Sequence, residues 1–244
     1  MRASERPLSA VPAWIAVLLA VTVLAQVSWR SMSHTRARTA EDLPPAPSAR
    51  ALQLASLGEP GALARLAMVW LLAFDARAEN ALPYQQLDYA RLIGWLSSIL
   101  ALDPRSEYPL FAAARVYAEN SNPAKMRAML EFIHEQFAAD PNHRWPALAH
   151  AALLAKHRLH DLPLARRYAA DLQQLVTDPT VPLWAKQMQV FILEDMNELD
   201  AARVVLGGML ATGHIRDPEE RQFLEERLKE LEAHRQTERK PLKR

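Results

Sequence analysis

The sequence predicts an all-α fold, a solenoid of stacked helix hairpins preceded by an N-terminal transmembrane helix. Three observations predict it. Asp-Pro recurs at Asp103-Pro104, Asp140-Pro141, Asp178-Pro179 and Asp217-Pro218, at spacings of 37, 38 and 39 residues, each time closing an apolar segment of helical spacing. A fixed period of this size marks stacked supersecondary units. Composition agrees, with only 6 Gly, 7% aromatics and abundant Ala and Leu, which favours helix over strand. The third observation is the run from Pro7 to Trp29, 23 residues without a charge.

That run follows a short tail, residues 1–7, and is assigned as a transmembrane helix over 8–29. At 1.5 Å per residue, 23 residues reach about 35 Å, enough for a hydrocarbon core of about 30 Å. Trp14 and Trp29 near its ends suit the membrane interface. A cleaved signal peptide is the rival reading, because Val23-Leu24-Ala25 resembles a small-residue cleavage site. Arg2 and Arg6 precede the run, and Arg30, Arg36 and Arg38 follow it, so flanking charge does not decide orientation. A basic start resembles an export signal and places the bulk of the chain in the periplasm of a single-pass inner-membrane protein.

Residues 30–60, with Pro44, Pro45 and Pro47 among small and polar side chains, read as a linker. Helical repeats are expected over 61–217, as hairpins near 62–101, 106–138, 145–177 and 182–212. First helices open at Tyr108-Pro109, Trp145-Pro146 and Val181-Pro182, since proline in a first turn forfeits no hydrogen bond. Second helices open after Asn122-Pro123, after Asp161 and after Asn197, residues whose side chains accept from free N–H groups at a helix start. Leu92, Trp95, Leu96, Ile99 and Leu100 form one apolar stripe; Met129, Phe132, Ile133 and Phe137 form another. Each stripe needs a neighbouring hairpin to cover it. A charged helix over 218–234 supplies a polar cap, and Arg235, Arg239, Lys240, Lys243 and Arg244 form a basic tail over 235–244.

The second helices carry a family resemblance. Leu100-Ala101-Leu102-Asp103-Pro104, Leu164 to Ala169 and Leu199 to Ala202 resemble the tetratricopeptide repeat over about residues 62–217, with a longer period than the family's 34 and without the Trp, Leu, Gly and Tyr spacing of its first helix. With the N-terminal span, the chain is similar to bacterial inner-membrane-anchored repeat proteins. The resemblance implies a concave groove that binds a partner protein and assigns no groove contacts.

Chemistry is thinly supported. There is no cysteine, so thiolate nucleophiles and thiolate metal sites are excluded. No serine follows Ser121, and no Gly-x-Ser-x-Gly, Walker or dinucleotide glycine pattern occurs. Gly207-Gly208 reads as close helix packing. His134-Glu135 starts a zinc-protease motif that fails at Ala138. His150, His157 and His160, spaced seven and three apart, are the candidates for a transition-metal site on one helix face; no partner carboxylate stands at ligand spacing, and no metal or cofactor is assigned. Glu194, Asp195, Glu198 and Asp200 surround Asn197 without the glycine and register of a calcium loop, and read as a solvated turn. Trp70, Trp95, Trp145 and Trp184 read as core, and any exposed would be hot-spot candidates.

A net charge of +1 argues against nucleic acid as a partner. The expected function is therefore non-enzymatic: a membrane-anchored scaffold or adaptor that binds another protein, in assembly of an envelope or membrane complex, with the bilayer contacted through 8–29. The alternatives are an envelope metal-binding or enzymatic module using His150 and His157, and a permanent structural subunit of a larger membrane complex.

Overall fold

The computed structural model describes residues 13–34, 43–74, 83–211, 215 and 217–238. Among them the regular structure is entirely helical. The chain divides into two compact units, Met1–Glu41 and Asp42–Arg244.

In the first unit, α1 spans Ala13–His34. Trp14, Val17, Leu18, Leu19, Leu24 and Val27 are all exposed. The hydroxyl of Thr22 donates to the carbonyls of Leu18 and Leu19 at 3.0 and 2.9 Å, so this polar side chain is satisfied within its own helix. No helix among the described residues is long and apolar enough to cross a membrane. The expected span over 8–29 runs into residues 1–12, which lie outside the described part.

In the second unit, α2 (Ala49–Ala55) and α3 (Pro60–Leu72) precede α4 (Tyr89–Leu102). Then come α5 (Tyr108–Ala112), which continues into a π-helical turn over Ala113–Tyr117, and α6 (Pro123–Phe137). The helices α7 (Pro141–His157), α8 (Leu162–Leu175), α9 (Leu183–Asp195), α10 (Leu199–Ala211) and α11 (Pro218–Glu238) complete it. Each helix packs on its sequence neighbours, and α5, α7 and α9 also touch in order, forming one layer of first helices. The expected stripes are buried: Leu92, Leu96, Ile99 and Leu100 of α4, and Met129, Phe132, Ile133 and Phe137 of α6. One core runs from Leu43 to Ile192, and a second joins α9, α10 and α11 through Val190, Leu193, Leu206 and Leu224.

The linker expected over 30–60 is corrected from Leu43 onward. Leu43 is fully buried, and α4 donates to the proline-rich segment at three points. Arg91 reaches the Leu43 carbonyl at 2.7 Å, Trp95 Nε1 the Pro44 carbonyl at 2.9 Å, and Ser98 the Pro47 carbonyl at 3.0 Å. Prolines leave their carbonyls free to accept, so a Pro-rich strand can dress a helix without forming a sheet. A Cβ added at Gly94 would meet the Ala46 Cβ at 3.4 Å, which shows how closely the segment lies on α4.

The Asp-Pro dipeptides serve two roles rather than one. Asp140 and Asp217 precede α7 and α11, whose first residues are Pro141 and Pro218; Asp217 accepts from the Glu219 amide at 2.9 Å. Asp103 instead ends α4, and Asp178 folds a turn against Thr180. Pro146 accordingly lies inside α7 and does not open it. Asn122 and Asp161 cap α6 and α8, accepting backbone N–H bonds at 2.9 Å from Ala124 and Leu164. Asn197 does not cap α10. It sits at φ 58° at the end of α9, where its amide donates to Glu194 and the Glu198 amide donates to Leu193, a Schellman closure that needs the left-handed conformation. Gly207 and Gly208 have nothing within 4 Å of an added Cβ, so close packing does not explain them.

Side-chain bridges span neighbouring repeats. Arg127 pairs with Asp161, Glu131 with Arg167 at 2.5 Å and His134 with Asp171 at 2.5 Å, all from α6 to the start or body of α8. A buried network joins Tyr89 to the α5–α6 corner: Tyr89 donates to the Tyr117 carbonyl at 2.7 Å, and Asn120 Nδ2 donates to the Tyr89 oxygen at 2.8 Å. The half-exposed Arg127–Asp161 and Arg167–Glu131 pairs contribute about 0.2–1 kcal/mol each; the enclosed Tyr89–Asn120 network costs more to break, because an orphaned buried polar group loses its hydration as well.

Candidate partner-binding groove

The layer of first helices opens between α5 and α7 into a cavity of about 680 Å³. Its α5 side carries Glu107, Leu110, Phe111, Ala114 and Arg115, approached by Arg105 from the preceding turn. Its α7 side carries Asp140, His143, Arg144, Ala147 and His150, spaced at three and four residues so that they share one helix face. The π-helical turn shapes this wall. The Ala118 amide donates to the Ala113 carbonyl, five residues back, at 2.8 Å, and Arg115 falls within that widened turn. Such turns change the direction of the side chains they carry and recur at functional sites.

Electrostatics in the groove are uneven. Asp140 is held by His143 Nδ1 at 2.9 and 3.0 Å, and this hydrogen bond keeps its carboxyl below the usual carboxylate range. Arg144 donates to the Gln136 carbonyl at 2.6 Å and the Pro104 carbonyl at 3.1 Å, tying α7 to the two preceding turns. Its burial lowers its pKa, against the pull of Asp140. Arg105 and Arg115 are exposed and have no hydrogen-bond or ion-pair partner among the described residues. His150 is 16% exposed; its Nε2 is enclosed, without a hydrogen-bond partner, 4.0 Å from Glu119 Oε1. Burial first, then the Arg115 charge, holds its pKa below the ordinary histidine value, opposed by Glu119. Phe111 is 55% exposed and stacks on exposed Tyr108 with centroids 6.3 Å apart.

The sequence-derived candidates are dispersed. His150 faces the groove, whereas His157 and His160 are exposed beyond it at the α7 terminus, with His160 at φ 53°. Among the described residues, no group of three or more His, Asp or Glu side chains is placed to hold a metal ion. The acidic corner around Asn197 is a junction rather than a free solvated turn: Glu194 binds Arg227, Asp195 binds Lys156, and Glu198 binds Arg166. Trp95 is buried and Trp70 lies against it at 4.7 Å. Trp145 meets Trp184 edge to face at 5.6 Å, and Trp184 remains 50% exposed. Residues 239–244 of the basic tail, and the side chain of Arg235, lie outside the described part.

Arg105, Phe111, Arg115, His143 and Arg144 carry no sequence signal of their own. Comparison with protein-family models, curated proteins and solved structures returns no match to this chain.

Proposed function

We propose that this chain is a membrane-tethered helical-repeat scaffold, tetratricopeptide-like in organisation, that holds another protein during assembly of an envelope or membrane complex. The observation that carries this reading is the open α5–α7 groove with exposed Phe111 and with Arg105 and Arg115, which have no partner among the described residues. Interfaces concentrate their energy in aromatic and arginine side chains seated in a concave patch. The apolar stripes of α4 and α6 are buried in the stack, whereas Phe111, Trp184 and Phe191 of the first-helix layer stay exposed, which supports that layer as the ligand face.

The tether reading is supported by the uncharged run from Pro7 to Trp29 and by α1, whose apolar side chains face outward on all sides. A helix apolar all round needs either protein or lipid around it. Anchoring raises the effective concentration of the groove for membrane partners, so moderate affinity suffices. The repeat unit is placed on the periplasmic side, in keeping with the short basic start.

Alkaline carbonate extraction and a C-terminal reporter active only in the periplasm test the anchor and its orientation: retention in the pellet with reporter activity is expected, and release into the supernatant overturns the anchor. Purification from native membranes tests the scaffold. One defined protein should co-purify in stoichiometric amount and be lost in the Phe111→Ala/Arg115→Gln variant; equal recovery with that variant overturns the groove as the holding surface.

A further inference from the structure

The geometry points to an acidic peptide segment as the occupant of the α5–α7 groove, with a carboxylate on Arg115, close to His150, and an apolar side chain against Phe111. This rests on the groove being the partner site proposed above, and it goes further by naming the chemistry of the partner.

Charge complementarity selects an acidic ligand. Of the three arginines at the groove, only Arg144 is committed, to two backbone carbonyls. Arg105 and Arg115 have no ion-pair partner among the described residues. Asp140 is engaged by His143, and Glu119, behind His150, is shared with Arg158 at 3.1 Å. Glu107 is the remaining acid in the lining. A basic segment would therefore meet uncompensated positive charge, and a neutral one would leave the Arg115 guanidinium without an anionic partner. A carboxylate accepts from the Arg115 guanidinium in a charge-assisted hydrogen bond stronger than a neutral one, and its charge lies close to His150 in the same lining.

The cavity also separates a peptide from a small anion. Its volume of about 680 Å³ and the exposed Phe111–Tyr108 stack offer apolar surface that an inorganic ion cannot cover. Proton linkage gives this site a distinctive sign. In the free protein His150 faces Arg115 and Glu119 from α5 and its extension, with Asp140, His143 and Arg144 on its own helix, and it is held below its ordinary pKa. A bound carboxylate favours the protonated ring, so binding takes up a proton and affinity rises as pH falls. Peptide carboxylates titrate near pH 4, and their protonation weakens binding instead.

Fluorescence anisotropy on the detergent-solubilised full chain tests this with three labelled peptides, alternating Glu or Asp with Leu, Gln or Asn with Leu, and Lys with Leu. The acidic peptide should bind about tenfold or more tightly than the amide version, and Arg115→Gln should remove about tenfold. Its affinity should increase severalfold from pH 7.5 to 6, and His150→Gln should abolish that increase. The double charge reversal Arg105→Glu/Arg115→Glu should switch preference to the Lys peptide, a gain that misfolding cannot mimic. Equal binding of acidic and amide peptides, preference for the Lys peptide by the unaltered chain, or binding indifferent to Arg115→Gln overturns the inference. In those cases a stoichiometric partner lost on Phe111 and Arg115 substitution would still uphold the scaffold reading.

Discussion

Two neighbouring gaps in the layer of first helices differ sharply. Between α7 and α9, Trp145 and Trp184 meet edge to face at 5.6 Å and bridge the two helices. Between α5 and α7, the residue at the position of Trp145 is Tyr108, which turns to stack on Phe111 in its own helix and leaves a cavity of about 680 Å³. The repeat is thus regular in sequence punctuation yet uneven in what it leaves open. The proposed ligand site lies where the interhelical aromatic pair is absent and where Arg105 and Arg115 have no partner among the described residues.

The strongest way to break this contrast is to remove the bridge. Trp145→Ala should lower stability by about 2 to 3 kcal/mol in chemical denaturation, less than a fully buried Trp because Trp145 is half-buried. Peptide binding between α5 and α7 should survive where the variant remains folded.

Asp161 acts in the layer behind both gaps, capping α8 and pairing with Arg127. Asp161→Ala should cost about 1 to 2 kcal/mol at pH 7 without opening either gap. The Arg127 hydrogen bond, and then the Leu164 N–H, hold this carboxyl below its ordinary value. Its contribution is therefore complete above the unfolded-state pKa of about 4 and is lost as pH falls through the lower folded-state value. Denaturation curves of the two proteins should converge in that acid range; a difference that persists unchanged below it would contradict the assigned role.

Smaller effects sharpen the comparison further. Gly207→Ala and Gly208→Ala should each raise stability by about 0.5 to 1 kcal/mol, because α10 gains helix propensity and the added methyl meets nothing within 4 Å. Destabilisation by either would reveal a packing partner at that face. Phe111→Ala should change stability by less than about 0.5 kcal/mol while weakening ligand binding, the opposite pattern to Trp145→Ala.

Sequence made the hairpins legible because proline and capping residues act locally. Pro123 after Asn122 and Pro163 after Asp161 set helix starts through contacts two or three residues away. Longer-range chemistry was not legible. Pro44 and Pro47 read as a linker because their acceptance of bonds from Trp95 and Ser98 depends on residues 51 positions away. Asn197 favours both helix starts and left-handed turns, and only the backbone decides between them. The groove was hidden for the same reason. Arg105 and Arg115 are set apart by having no partner among the described residues, which sequence cannot display, whereas Arg166 and Arg227 look identical in sequence and are bound to Glu198 and Glu194.

The most direct test of the groove as the partner-binding face is photo-crosslinking in native membranes, with a photoreactive amino acid placed at Phe111 and, separately, at Val204 of α10, which is also exposed. A discrete adduct from position 111, suppressed by an excess of the acidic peptide and absent from position 204, is the predicted result. Adducts of equal yield from both positions, or an adduct at 204 alone, would contradict it.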